Sequence, residues 1–253
     1  MNGVPKIMPV LDPSNTTAKP HHPYLPKVGV DVQGGGSLLL MISPVKTGKS
    51  TIISNLFLNE DFFGQEFFDD VKIISNTIKN DVTSRFLNKA FEVYDFYSDE
   101  IIDGIVENQK SFEKEDQPQI AIVLDDCLGS IKRESKINHL ASRYRHFNIK
   151  MLIISSQKFT GSVSPIVRAN ATDVIIGSPF PNQKELGRVA EEYGDLFGGP
   201  DNWLRMYRKA TRNKYDFLYM DLQSNPPIAY SNFDRIVGTG GFDNESSEED
   251  MEE

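Results

Sequence analysis

The chain has 253 residues and a formal charge of −9, with 39% hydrophobic, 10% aromatic and 25% charged residues, a profile that suits one globular domain of good size. Its longest apolar runs, residues 38–42 and 120–124, are far short of the roughly 18 residues a membrane span needs, and residues 1–26, with six prolines and no apolar stretch, do not read as a signal peptide. A single cysteine, Cys127, excludes an intramolecular disulfide, the four histidines lack zinc-ligand spacing, and a reducing compartment is expected.

The charge is unevenly spread. Residues 243–253 carry seven acids and no base, residues 59–126 hold six bases against 17 acids, and residues 131–214 hold 15 bases against seven acids. The last stretch can attract a polyanion while the other two repel it, provided those side chains share a surface.

In chain order, residues 1–27 are rich in Pro, Asn and Thr, include Lys19-Pro20-His21-His22-Pro23, and read as a disordered arm. Short β-rich runs then alternate with amphipathic stretches: strand 38–42 and helix 51–58, strand 71–74 and helix 82–90, strand 120–124 and helix 135–147, then strand 151–154. Strand 174–176 and helix 184–193 follow, and further strands are expected at 203–207, where Arg205 and Tyr207 alternate with Leu204 and Met206, and at 217–222. Such alternation predicts an α/β fold: a mainly parallel central sheet flanked by helices, in a single domain over 28–242 followed by a disordered acidic tail over 243–253.

The most informative segment is Leu39-Leu40-Met41-Ile42-Ser43-Pro44-Val45-Lys46-Thr47-Gly48-Lys49-Ser50-Thr51. A buried strand, a turn and a helix start in that order form the setting of a phosphate-binding loop. Backbone N–H groups over 43–51 can surround a β-phosphate, Gly48 allows close approach, Lys49 reaches the β and γ oxygens, and Ser50 ligates Mg²⁺. Ser43 stands where the pattern has glycine, a residue that eases the strand-to-loop turn. Lys46 either adds charge at the phosphates or points to solvent.

Ile120-Ala121-Ile122-Val123-Leu124-Asp125-Asp126 delivers two carboxylates to the carboxyl edge of the sheet, where mutual repulsion is relieved by a cation. In nucleoside triphosphatases the first such acid, here Asp125, holds Mg²⁺ through water and the second, Asp126, polarises the attacking water. Gln157, after Met151-Leu152-Ile153-Ile154-Ser155-Ser156, reaches the same edge and can hydrogen-bond a γ-phosphate without adding charge.

The run from Leu140 through Gln157, with Ile166-Val167-Arg168-Ala169-Asn170-Ala171-Thr172, resembles the FtsK/HerA superfamily of DNA-pumping P-loop ATPases, and within it the poxvirus-type genome-packaging ATPases of large nucleocytoplasmic DNA viruses. The resemblance covers residues 36–220. It implies the additional-strand, RecA/FtsK-like form of the fold, with ATP and Mg²⁺ as cofactors. It implies a hexameric ring that drives double-stranded DNA into a capsid, docks on a capsid or portal component, and works in the host cytoplasm at the assembly site or on the virion. By the same resemblance Arg145, with Arg143 as the fallback, is an arginine finger acting on a neighbouring subunit, and Arg168 is a supporting residue.

DNA contact is assigned either to Arg205, Arg208, Lys209, Arg212 and Lys214 beside Trp203, Tyr207 and Tyr215, or these residues form only a solvated edge. The acidic tail either competes with DNA, binds a capsid protein or serves solubility. Two other classes fit the phosphate loop: a small-molecule kinase or NTPase, and a nucleotide-binding scaffold with little turnover.

Overall fold

Alternate residues of the first strand, β1 (Ser37–Ile42), enter opposite cores: Leu38, Leu40 and Ile42 pack on one face of a sheet, Leu39 and Met41 on the other. A strand buried at every position must be covered on both sides, which is why its sequence shows no polar alternation. The same holds for β4 (Ile120–Asp125) and β5 (Ile149–Ser156), buried over their whole lengths.

The computed structural model describes residues 24–28, 35–78, 84–127, 131, 134–180 and 182–241. After β1 come α1 (Lys49–Leu58), β2 (Asp70–Ser75), α2 (Arg85–Ala90), β3 (Glu92–Tyr94) and α3 (Asp99–Lys110), then β4, α4 (Lys136–Ala141) and β5. The chain continues through α5 (Pro165–Asn170), β6 (Asp173–Gly177), α6 (Gln183–Tyr193), α7 (Pro200–Ala210), β7 (Phe217–Asp221), β8 (Ile228–Ser231) and β9 (Arg235–Thr239). The strands form one sheet in the order β3-β2-β4-β5-β1-β6-β7-β8-β9. Pairings from β3 to β6 are parallel, and β6–β7, β7–β8 and β8–β9 are antiparallel.

One core, beneath α3 to α7, is built on Leu38, Ile122, Leu152 and Trp203; the other, beneath α1 and α2, on Leu39, Phe57, Val123 and Ile153. The expected α/β class and parallel sheet are therefore what the chain adopts. Strand β5 lies between β1 and β4, so the loops that follow these three strands sit side by side at one edge.

Residues 203–207 are not a strand. They lie inside α7, where Trp203, Met206, Tyr207 and Ala210 form the buried stripe and Arg205, Arg208 and Lys209 face out. Spacings of three and four residues describe that burial better than the two-residue alternation of Leu204 to Tyr207, and Gly199 followed by Pro200 supplies the helix start. Helix 135–147 is shorter than expected: α4 ends at Ala141, followed by Ser142, whose hydroxyl donates to the His139 carbonyl at 3.0 Å, and residues 144–147 form a 3-10 turn. In α2 the described residues start the helix at Arg85.

Helix α3 is absent from the sequence reading, although Ser98 caps it by accepting from the Ile101 N–H at 3.3 Å and Ile102, Ile105 and Gln109 line its buried face. Of the arm expected over residues 1–27, residues 24–27 are among those described and pack against the domain. Leu25 and Val28 are buried, Tyr24 packs on Tyr230 with centroids 5.5 Å apart, and Lys27 pairs with Asp221 at 2.9 Å. Residues 1–23 and the tail 243–253 lie outside the described residues.

Candidate functional site

The loop between β1 and α1 is built around its own backbone. Ser43 N–H donates to the Ser156 carbonyl at 2.9 Å, which ties the loop to the end of β5. Thr47 Oγ1 donates to the Pro44 carbonyl at 2.6 Å and shares a short hydrogen bond with Ser43 Oγ. Gly48, at φ 97, then turns the chain into α1 in a conformation that costs glycine nothing. No side chain caps α1 and no acid lies in its first turn, so its N-terminal N–H groups and positive dipole end are open to an anion.

Ser43 fits because of a glycine on the neighbouring strand. A Cβ on Gly177 would lie 1.9 Å from Ser43 Oγ, so the bare backbone of β6 provides the room that the loop's own glycine normally provides. From the other side, the Tyr207 hydroxyl donates to the Gly177 carbonyl at 3.1 Å. Tyr207 thus braces the site from within the core.

Beside the loop is a cavity of about 780 Å³. Its wall includes Pro44, Val45, Lys46, Gly48, Lys49, Ser50 and Thr51 from the loop, Asp126 and Gln157 from the ends of β4 and β5, and Thr77, Tyr215 and Phe217. Lys49 is buried and its ammonium donates to the Ser43 carbonyl at 3.1 Å and to Asp126 Oδ1 at 3.0 Å. Gln157 Nε2 donates to Asp126 Oδ2 at 3.2 Å. Two segments distant in sequence therefore converge on the carboxylate of a third.

Ser43 and Thr47 lie buried under the loop. Asp125, one residue before Asp126, is buried behind the cavity wall, with Oδ1 accepting from Ser155 Oγ at 2.8 Å. The chain turns sharply between the two acids, since Asp126 has φ 53. Of five non-glycine residues at positive φ among those described, Lys46, Asp126 and Tyr215 all face this cavity. Such backbone strain clusters at functional sites, which makes this cavity the candidate.

Two features hold the surrounding turns. Cys127 is buried, its thiol donates to the carbonyls of Ile74 at 3.1 Å and Asp125 at 3.3 Å, and burial, reinforced by the Asp125 charge, pushes its pKa up to about 12. It stays protonated and anchors the turn after β4, and it is no nucleophile. Past Gln157, the Glu185 carboxylate accepts from the N–H groups of Phe159 at 3.2 Å and Thr160 at 2.9 Å. Burial alone would raise the Glu185 pKa, but these bonds and that from the Thr160 hydroxyl outweigh it and lower the pKa.

Arg145 is not at this cavity. It is exposed on the 3-10 turn before β5, at the opposite edge of the sheet, with Nε donating to the Tyr144 hydroxyl at 3.0 Å. Arg143 is exposed beside it. Arg168 is tied to Glu192 at 3.0 Å and lies 4.9 Å over the Phe159 ring.

The basic and aromatic cluster comes apart. Trp203 and Tyr207 stack inside the core, with Trp203 fully buried, while Arg205, Arg208, Lys209, Arg212 and Lys214 remain at the surface. Sequence reasoning does not reach Gly177, Thr77 or the cavity position of Tyr215; for the last, the bulky residue after Asn213-Lys214 in a turn is the available signal.

The donor set suits a triphosphate with Mg²⁺. Among the described residues no group of three or more His, Cys, Asp or Glu can hold a metal unaided. Mg²⁺ characteristically takes one or two carboxylates and completes its shell with phosphate oxygens and water, and Ser50 and Asp126 on the cavity wall would offer that partial set, with Asp125 buried behind it.

The chain therefore has an α/β fold of the P-loop NTPase-like type, with a mainly parallel sheet flanked by helices. The chain matches no protein-family profile. Its fold is similar to that of the genome packaging NTPase B204 from Sulfolobus turreted icosahedral virus 2 in complex with sulfate, at a TM-score of 0.56 and 17% identity over 78% of this chain and 97% of that one. The DNA-packaging ATPase B204 from Sulfolobus Turreted Icosahedral Virus matches at 0.57 and 16% identity, over 78% and 97% of the two chains. B204 in complex with ATP-gammaS matches at 0.54 and 16%, over 78% and 98%. In sequence the chain is 25% identical over 191 residues to Uncharacterized protein 075L of Invertebrate iridescent virus 6, covering 74% of this chain and 71% of that protein. It is also 25% identical over 151 residues to Uncharacterized protein 088R of Invertebrate iridescent virus 3, covering 58% of this chain and 55% of that protein. Among the described residues no helix is long and apolar enough to cross a membrane.

Proposed function

We propose that this chain is a viral ATPase that couples ATP hydrolysis to moving double-stranded DNA into a capsid. The observation that carries the reading is the convergence of Lys49 and Gln157 on Asp126 at the mouth of a phosphate-loop cavity. The fold it shares with the B204 packaging NTPases and the iridescent-virus origin of its sequence relatives support the viral packaging role.

In this reading the N–H groups of the loop and Lys49 bind the phosphates, and Ser50 at the cavity, with Asp125 behind its wall, would hold Mg²⁺. Asp126 takes the proton of the attacking water, and Gln157 orients that water and senses the γ-phosphate. The metal supplies neutralisation of phosphate charge. Lys49 is shared between Asp126 and the loop, and nucleotide binding draws it toward the phosphates and frees Asp126 to act as a base. Arg145, exposed and far from its own chain's cavity, acts on a neighbouring subunit of a homo-oligomeric ring, a hexamer by family resemblance. Delivery in trans makes turnover depend on assembly. The exposed cations of α7 and the following turn contact DNA phosphates without reading sequence. A capsid or portal component is the docking partner, at the cytoplasmic assembly site or on the virion.

The test is ATP hydrolysis with and without long double-stranded DNA, for the native chain and for Lys49→Ala. Stimulation by DNA that weakens steeply with salt, and loss of all turnover in Lys49→Ala, are expected. Hydrolysis indifferent to DNA would transfer the chain to the small-molecule NTPases, and tight ATP binding without turnover to the scaffolds.

A further inference from the structure

Tyr215 holds a position that neither phosphate binding nor DNA contact explains. It is 53% exposed, yet it sits on the wall of the cavity beside Gly48, Lys49, Ser50 and Thr51, and its Cδ1 comes within 3.8 Å of where a Cβ on Gly48 would lie. Its backbone, at φ 73, is in the left-handed region that bulky side chains avoid. The neighbouring Asp216 fixes the turn, with one carboxylate oxygen accepting from Asn213 N–H at 2.8 Å and the other from Asn232 Nδ2 at 3.1 Å. A strained, half-exposed aromatic ring is thereby held at the N-terminus of α1 by a braced turn.

The ring has one face engaged, with the Lys214 ammonium 4.7 Å from its centroid. A flat aromatic ligand can use the other. Phe217, two residues further on, adds a buried apolar wall, and Ile52 lines the cavity just past the loop. Asp126 and Gln157 come from the β4 and β5 side of β1, whereas the Tyr215 turn leads into β7, beyond β6 on the other side of β1. The catalytic groups and Tyr215 thus flank the loop from opposite sides, as the γ-phosphate and the base flank the α- and β-phosphates of a nucleotide.

We propose that Tyr215 is the platform for the nucleobase of the bound triphosphate, its ring stacking on the base. The inference rests on the reading of the cavity as a nucleoside triphosphate site. Stacking engages the π-face that every base has and ignores the hydrogen-bonding edge. The site therefore accepts purine triphosphates with little discrimination between adenine and guanine.

The experiment measures the affinity of the full-length chain, with Mg²⁺, for ATP, GTP and inorganic tripolyphosphate, and repeats it for Tyr215→Phe, Tyr215→Ala and Tyr215→Leu. In the native chain ATP and GTP are expected to bind within a few-fold of one another. Tyr215→Phe should keep that affinity. Tyr215→Ala and Tyr215→Leu should lose about tenfold or more toward both nucleotides, in line with aromatic–base stacking, and leave tripolyphosphate affinity unchanged. Unchanged ATP affinity in both Tyr215→Ala and Tyr215→Leu overturns the stacking role alone. A parallel loss toward tripolyphosphate also overturns it, since Tyr215 would then support only the phosphate loop. A native chain that binds neither ATP nor tripolyphosphate removes the nucleotide-site reading as well.

Discussion

The sheet carries a pair of carboxylates at each of its two edges, and the pairs are treated in opposite ways. At the edge where the strands begin, Asp173 is fully buried and faces Asp221 across the β6–β7 pairing. Asp173 accepts from Ser37 and Thr172 hydroxyls at 2.7 Å each, from the Tyr219 hydroxyl at 2.7 Å and from Gln223 at 3.1 Å. Asp221 has Lys27 at 2.9 Å and Ser224 Oγ at 2.7 Å. Each of these donors is a fixed side chain of the fold itself, with Lys27 and Gln223 closing the group from the surface. At the other edge Asp126 opens onto a cavity, with Lys49 and Gln157 as partners that a ligand can recruit. A buried carboxylate saturated by fixed donors holds a structure together, and one whose partners line a cavity is available for chemistry.

The comparison predicts that substitutions separate cleanly into losses of activity and losses of stability. The largest effect is expected at the open edge: Asp126→Asn should lower ATP turnover by about 10² to 10⁴-fold while shifting the melting temperature little. Turnover near the native value would show that Asp126 is not the base. At the closed edge Asp173→Ala should do the reverse, costing about 3 kcal/mol of stability because several buried donors lose their acceptor, with nucleotide affinity unchanged in the protein that remains folded. A loss of affinity without a loss of stability would break the distinction.

Gly177→Ala comes next, because the added methyl must displace Ser43 Oγ. A cost of about 2 kcal/mol is expected by thermal or urea unfolding, and Ser43→Gly should relieve most of it in a double-mutant cycle. Strictly additive effects would mean that the two residues do not share that space.

The smallest effect concerns Lys27. Burial raises the Asp221 pKa, but hydrogen bonds from Ser224 and Lys27 and the Lys27 charge outweigh it and lower it overall. A depressed carboxylate pKa stabilises the fold above the unfolded value and stops doing so as pH falls through the folded one. Lys27→Ala should therefore cost less than about 1 kcal/mol near neutral pH, since Lys27 is half exposed, and nothing at strongly acid pH. A cost that grows on acidification would contradict the assignment.

Much of the open edge was legible because its parts are local. The phosphate loop, the Asp125-Asp126 pair and Gln157 each follow a continuous apolar run, and a parallel sheet brings the ends of such runs to one side. The closed edge was not legible, since its donors are spread over Lys27, Ser37, Thr172, Tyr219 and Gln223, and polar residues at these separations carry no local pattern. Helix α7 was misread for a related reason. Its four central residues alternate like a strand, and only the packing of Trp203 and Tyr207 against β7 and Gly177 shows which face is inside.

By itself the sequence determined the α/β class, the positions of the principal strands and the strand–loop–helix setting of residues 43–51, because those follow from residue type and spacing along a short stretch of chain. The tertiary structure alone decided that Gly177 makes room for Ser43, that Asp126 and not Asp125 faces the cavity, and that Tyr215 stands over Gly48 instead of joining a basic face. Each of these depends on a close approach between strands or turns far apart in the chain. Whether two such side chains meet is set by sheet order and backbone turns, which neighbouring residues do not encode.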